Sequence, residues 1–200
     1  MNASSGNLIY PFTADKVLKL RAGDVVRISG IVFTGRDRLH KHLAETHASP
    51  VDLHDGALFH CGPVVRRGAD GSWRIVAAGP TTSIREEPYM AEVIAEQGVR
   101  VIIGKGGMGA KTLDACREHG CVYLQAVGGA AAVIAKSVRK VLDVHFMDEF
   151  GATEAMWSLQ VDGLETVVGM DAHGRSLYDE VARSSAIKLK TIFDPSGIYV

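Results

Sequence analysis

At 200 residues the chain is about one domain long, since domains usually take ~100–200 residues. Lys and Arg total 22 against 23 Asp and Glu, a net charge of −1, which argues against an electrostatic nucleic-acid binder that needs surplus cations. A hydrophobic content of 46% and a charged content of 22% suit a folded chain, and no apolar run approaches the ~18–20 residues of a membrane helix.

Residues 1–13 are expected to form an arm, with Ile9, Tyr10 and Phe12 able to tuck against the body. Its start, Met1–Asn7, is polar and lacks a basic stretch leading into an apolar one. That pattern predicts no signal peptide and a cytoplasmic chain. Val17–Leu20 precedes a turn at Arg21–Asp24, and the alternating, β-branched run Val25–Phe33 predicts a strand. A helix is expected over Arg38–Thr46, with Asp37 as its N-cap. Ala57–Cys61 reads as a short strand, and Val64–Arg67 with Trp73–Ala78 as a hairpin.

The pattern then changes. Helices are predicted at Pro88–Gln97, Ala110–His119 and from Gly128 to Lys136, alternating with strands Val99–Ile103, Cys121–Val127 and Val141–Phe146. Trp157–Val161 and Thr166–Met170 read as two further strands and Tyr178–Ala182 as a short helix. The expected fold class is α/β, with a strand-rich first half and a parallel α/β layer in the second half. No linker composition divides the chain. One domain over 1–200 is expected, with a core at 14–183 and a tail at 184–200.

Three short loops carry a cation or hydroxyl among small residues: Thr34–Asp37, Gly79–Arg85 and Gly104–Gly109. Such loops can turn backbone N–H groups toward an anion. Arg36 and Arg85 can each grip a carboxylate with two parallel hydrogen bonds, and Lys105 offers a point charge. Together they suggest a small ligand with two negative charges. Singly, Arg36 could pair with Asp37 or Glu45, and Arg85 with Glu86 or Glu87, while Lys105 is simply solvated. Thr81 and Thr82 lie in the second loop; a threonine hydroxyl becomes a base only where nearby cations stabilise its anion, and otherwise serves a turn or cap.

Other chemistries fit less well. Gly104–Gly109 matches G-x-G-x-x-G, but a dinucleotide site also wants an acid ~20 residues on, where Leu124 and Gln125 stand. Five histidines lie between His40 and His60, yet His40 and His42 point apart on a helix, so a metal centre is not expected. The three cysteines, Cys61, Cys116 and Cys121, form neither a disulfide framework nor a zinc spacing and read as small buried thiols.

The motifs at Thr34–Lys41 (T-G-R-D-x-x-H-K), Gly79–Arg85 (G-P-T-T-S-x-R), Gly104–Met108 (G-K-G-G-M), Gly128–Ala132 (G-G-A-A-A) and Glu149–Trp157 (E-F-G-x5-W) come in an order that resembles the β subunit, or C-terminal domain, of the class I iron–sulfur fumarate hydratases and L-tartrate dehydratases. The resemblance covers roughly residues 15–180 and implies a swivelling β/β/α fold. It implies a hydro-lyase that reversibly hydrates fumarate to L-malate and is active only with an α subunit. The [4Fe–4S] cluster would be held by that partner and none by this chain. The assembly would pair two α with two β subunits (α2β2). By similarity, Arg36, Thr81, Arg85 and Lys105 would bind the dicarboxylate, with Thr81 the candidate base and Lys105 and Arg36 catalytic beside it. Asp37 and His40 would orient Arg36 from behind. Tartrate conversion to oxaloacetate is the alternative, its extra hydroxyl met by Thr34, Thr82 or Ser83. Two readings outside catalysis stay open: a module that binds an anion or nucleotide, and a scaffold for the partner.

Overall fold

The structure, a computed structural model, describes residues 5–192. In chain order it contains β1 (Ser5–Ile9), α1 (Ala14–Val17), β2 (Val25–Gly35), α2 (Asp37–Thr46), β3 (Ala57–His60), β4 (Val64–Arg67) and β5 (Trp73–Ala77). A 3-10 turn (Ser83–Glu86) leads into α3 (Glu87–Gln97), β6 (Val101–Gly104), α4 (Ala110–His119), β7 (Val122–Gln125) and α5 (Ala131–Ala135). The chain continues through β8 (Val138–His145), α6 (Met147–Phe150), β9 (Met156–Met170) and α7 (Leu177–Ile192).

The main sheet runs β1-β2-β3-β6-β7-β9-β8, and β9 also pairs with β2. Strands β2, β3, β6, β7 and β9 therefore close into a five-stranded barrel. The pairs β2–β3, β3–β6 and β6–β7 are parallel, whereas β9 is antiparallel to β2 and β7. The hairpin β4–β5 stands apart as its own small sheet.

Period-two alternation divides the barrel wall. Phe59, Val101, Ile103, Val122 and Leu124 join one core with Val26, Ile28, Val32, Trp157 and Leu159. Leu58, Ile102 and Tyr123 face the other way, onto Leu39 and Leu43 of α2, Met90, Val93 and Ile94 of α3, and Cys116 of α4. All four residues of β3 and of β6 are buried. Both faces of these strands are covered, so Ala57–Phe59 and Val101–Ile103 read as unbroken apolar runs. Each large side chain so buried contributes about 1.5–3 kcal/mol.

The expected division into halves does not hold. Strands β2 and β3 of the first half lie parallel beside β6 and β7 of the second, in one sheet. Part of the expected arm, Ser5–Ile9, pairs in parallel with β2; residues 1–4 lie outside the described residues. The two strands expected at 157–161 and 166–170 are one strand, β9. Gly163 takes φ +69° where the register against β2 shifts between Ile28 and Gly30, and its N–H bonds the Ser29 hydroxyl at 3.0 Å. The strand turns a corner at this bulge without ending. Helix α7 runs well past Ala182, so 184–192 of the expected tail is helical, with Val181, Ile187, Leu189 and Ile192 exposed; 193–200 lie outside the described residues. Among the described residues no helix is long and apolar enough to cross a membrane.

Two helix starts depart from simple capping. Arg36, not Asp37, occupies the N-cap position of α2, without a side-chain cap bond, and Asp37 is the first helical residue. At α4 the N-cap is Gly109, which has no side chain to offer. The Glu87 carboxylate takes its place, accepting from Gly109 N at 2.7 Å, Thr112 N at 3.2 Å and Thr112 Oγ1 at 2.6 Å. Glu87→Ala should therefore lower unfolding free energy by roughly 1–3 kcal/mol in urea denaturation, and Glu87→Gln by less, because the amide oxygen still accepts.

Candidate active site

Parallel registration aligns Gly35 of β2 with His60 of β3, and Gly104 of β6 with Gln125 of β7. The loops that follow β2, β3 and β6 leave from one rim of the barrel. The loop at 79–85 is stitched across that rim. Pro80 bridges Cys61, Thr81 N donates to His60 O at 2.7 Å, Thr82 bridges Lys105, and Ser83 N donates to Lys105 O at 3.1 Å. The G-G-A-A-A run supports it from outside, where Ala78 N donates to Ala131 O at 3.0 Å.

Four of the predicted side chains form one chain of contacts. Arg85 Nη2 donates to Thr81 Oγ1 at 2.8 Å and lies 3.2 Å from Asp37 Oδ2. Arg36 Nη2 is 3.9 Å from the same Asp37 oxygen, and its Nη1 is 3.5 Å from Glu154 Oε1. Glu154 also accepts from Arg38 N at 3.0 Å. Of the single-residue alternatives, Arg36–Asp37 is present. Arg85 turns to Asp37, however, and Glu45 pairs with Lys41. Lys105 follows β6 directly. It is partly buried, and its ammonium has no hydrogen bond or ion pair with any described residue.

Beneath the charged layer lies a buried polar one. Ser83 Oγ is its hub: it meets His60 Nδ1 at 2.9 Å and accepts from Lys105 N at 3.1 Å and Tyr123 Oη at 3.0 Å. Gly104 makes this possible, because a Cβ there would collide with Ser83 Oγ and meet His60 Nδ1 at 3.1 Å. The His60 ring stands edge-on to His40, centroids 4.8 Å apart. His40 Nδ1 bonds the Arg36 carbonyl at 2.9 Å and lies 3.6 Å from Glu86 Oε2, with both side chains fully buried. Burial pulls His40 down to about 4, outweighing its bond to Arg36 and the charge of Asp37. Burial, aided by His40, lowers His60 well below its ordinary value. Glu86 is pushed up to about 8, first by burial and then by Asp37.

Sequence reasoning singled out Arg36, Asp37, His40, Thr81, Arg85 and Lys105, and these meet at the rim. It missed Glu86, Glu154 and His60 as site groups, and it weighed Ser83 only as a substrate hydroxyl partner, not as the hub of a buried network. Glu86 was weighed only as a partner for Arg85, and only the tertiary path shows it turned inward. Thr34 and Ser83, two of the candidates for an extra substrate hydroxyl, are fully buried; Thr34 Oγ1 accepts from Trp157 N at 3.2 Å, and Thr82 alone of the three is exposed. The histidine run disperses: His42 packs on Phe146 and Phe150, and His47 pairs with Glu92 at 3.1 Å and Glu96 at 3.5 Å on an exposed face. The three cysteines are free and buried. Burial pushes the Cys61 thiol up to about 12, and Cys121 together with burial raises Cys116.

The chain matches the Fumarase C-terminus family over residues 4–181. It is 49% identical over 185 residues to a protein of Geobacillus stearothermophilus named as a fumarate hydratase class I, covering 92% of this chain but only 36% of that protein. A Methanocaldococcus jannaschii protein named as an L(+)-tartrate dehydratase subunit beta is 40% identical, with 90% of this chain and 94% of the relative covered. The L(+)-tartrate dehydratase subunit beta of Escherichia coli K12 is 36% identical, with 86% of each covered. The chain thus spans about a third of the first relative and nearly the full length of the other two. With the rim loops in the order the motifs require and the match running through all of them, this chain belongs to the Fumarase C-terminus family.

Proposed function

We propose that the chain is the β subunit of a two-subunit hydro-lyase that reversibly hydrates fumarate to L-malate, working in the cytoplasm. The supporting observation is the contact chain Arg36–Asp37–Arg85–Thr81, with Lys105 beside it, on one rim of a chain of this family. Two guanidiniums and an ammonium suit a molecule with a carboxylate at each end.

In the dehydrating direction, the part assigned to this chain is removal of a proton from the carbon beside a carboxylate. Charge then moves onto that carboxylate, and cations already aimed there lower the barrier; one preorganised donor of this kind contributes roughly 3–4 kcal/mol. Thr81 takes the proton. The hydrogen bond it accepts from Arg85 favours its deprotonated oxygen. Arg36, Arg85 and Lys105 hold the substrate, and Asp37 and His40 hold Arg36 and Arg85 in place.

The activity implies a [4Fe–4S] cluster, which the cysteines of this chain do not suit. Cys61 belongs to one core and Cys116 and Cys121 to the other, and the raised Cys61 and Cys116 thiols resist forming the thiolates a cluster needs. We assign the cluster to an α subunit, in an assembly of two α and two β subunits.

Conversion of L-tartrate to oxaloacetate is the second reading. It is favoured by the two relatives of matching length, both named as tartrate dehydratase β subunits. Thr82, exposed beside Lys105, is then the hydroxyl assigned to the additional substrate oxygen.

With the chain reconstituted anaerobically with its cluster-bearing partner, Arg85→Ala and Lys105→Ala should each lower kcat/KM about 10²–10³-fold while circular dichroism stays unchanged. Unchanged turnover in both would reject the site and favour a scaffold. Thr81→Ala should act mainly on kcat, and Thr81→Ser should recover most of it. Steady-state rates on fumarate and on L-tartrate decide the substrate. If tartrate is preferred, Thr82→Ala should cost that substrate about tenfold, the worth of one lost hydrogen bond of about 1.4 kcal/mol, and fumarate little.

A further inference from the structure

The motif at Glu149–Trp157 builds the turn between α6 and β9, and its spacing accounts for the shape of that turn. The Trp157 indole donates from Nε1 to Ala152 O at 2.8 Å, and Glu154 N and Ala155 N donate to Gly151 O at 3.1 and 2.9 Å. Trp157 is fully buried, and its own N–H donates to Thr34 Oγ1 at 3.2 Å, which ties the turn to β2. Glu154 is thereby presented to the start of α2. Its two carboxylate oxygens do different things: Oε2 accepts from Arg38 N at 3.0 Å, and Oε1 lies 3.5 Å from Arg36 Nη1. The first contact supplies what the helix start lacks, because Arg36 holds the N-cap position without a side-chain cap bond. The second sets an acid against the guanidinium of that same N-cap residue. The two side chains are only 26% and 15% exposed, so water and salt weaken this pair less than the more open Arg85–Asp37 pair. Gly62 gives the Arg36 stem its room, since a Cβ there would meet Arg36 Cδ at 2.8 Å and Thr153 O at 2.5 Å. Arg36 Nε is buried without a hydrogen-bond partner. The direction of the guanidinium therefore rests on its two terminal nitrogens, where Glu154 at 3.5 Å is the nearer acid and Asp37 stands at 3.9 Å. Each terminal nitrogen carries two N–H groups, so donors remain for a ligand.

We propose that Glu154 is the positioning residue for Arg36: one carboxylate oxygen caps α2 while the other holds the Arg36 guanidinium at the rim, ready for a substrate carboxylate. This deepens the proposed function and rests on Arg36 as a substrate-binding group there. Glu154 touches no substrate and acts through Arg36. Because one side chain does both jobs, the helix start and the guanidinium are set together, and the Trp157 indole keeps the turn that carries them from shifting. The two jobs differ in what they require. Capping needs only an oxygen that accepts a hydrogen bond, whereas the hold on a guanidinium needs negative charge. Glu154→Gln separates them: its amide oxygen still accepts from Arg38 N, but it offers Arg36 no charge.

The test starts with the full chain alone, by ¹⁵N NMR of its arginine side chains and by amide hydrogen exchange. Glu154→Gln should keep the exchange rate of the Arg38 amide while the Arg36 guanidinium rotates faster about Nε–Cζ; unchanged Arg36 signals overturn the proposal. Glu154→Ala should quicken both, and where that variant fails to fold, Glu154→Gln decides alone. In the reconstituted enzyme, Glu154→Gln should raise KM for the preferred dicarboxylate about tenfold and leave kcat within about threefold, because the grip it weakens is made alike in the ground and transition states. In an Arg36→Ala background the same change should alter kcat/KM by less than about twofold, since a residue acting through Arg36 has nothing left to act on. A Glu154→Gln enzyme with wild-type KM, or an equal penalty in both backgrounds, overturns the proposal. A reconstituted enzyme inactive on both fumarate and L-tartrate overturns the proposed function instead, and the hold of Glu154 on Arg36 is then decided by the side-chain signals of the chain alone.

Discussion

Parallel hydrogen bonding between β2, β3, β6 and β7 obliges four strands to end in the same direction, and every charged group of the candidate site hangs from that shared edge. Barrel closure by β9 then fixes the distances. The end of β2 that carries the Thr34–Asp37 loop is held on one side by β3, through Thr34–Phe59 and Gly35–His60, and up to Phe33 by β9 on the other. Backbone pairing continues beyond the strands, through the bridges Cys61–Pro80 and Thr82–Lys105. The hydroxyl of Thr81 is thus held by its own main chain before any side chain contributes.

Two layers with different electrostatics meet at this edge. The outer layer is ionic and open: Asp37, Arg36, Arg85 and Glu154 are each accessible to some degree, so their attractions are softened by water. The inner layer, His40, His60, Ser83, Glu86 and Tyr123, is dry and neutral. Neutrality there follows from burial, which drives the histidines and Glu86 toward their uncharged forms from opposite directions. A stiff, uncharged floor beneath a charged surface is a suitable base for side chains that must hold one geometry while a reaction shifts charge above them.

Much of this was legible in the residues. Strand β2, helix α2, the β4–β5 hairpin, and helices α3 and α4 lie within a few positions of where their periodicity puts them, and the three cation-bearing loops fall where strands give way to other structure. What stayed hidden depends on partners remote in sequence. Asp162-Gly163 looks like a turn, and only the opposing residues of β2 turn it into a bulge within one strand. Asp37 has the chemistry of a cap, but Arg85, 48 positions along, draws its carboxylate away. Glu86 and Glu87 are adjacent and chemically alike, yet one goes to the dry floor and the other to the start of a helix. No local pattern separates them, because the difference is set by what packs on each side of the turn.

That second carboxylate has a consequence for ligand choice. Glycine-rich segments ahead of helices often receive phosphate groups, since the exposed amides and the helix dipole welcome negative charge. Here the amides of Gly109 and Thr112 already hold a resident anion, covalently part of the protein and so present at an effective concentration no free metabolite matches. A nucleotide approaching this turn would have to evict Glu87 and leave it without its donors. The segment therefore keeps the sequence signature of a phosphate cradle while two of the amides at its helix start are already taken by Glu87.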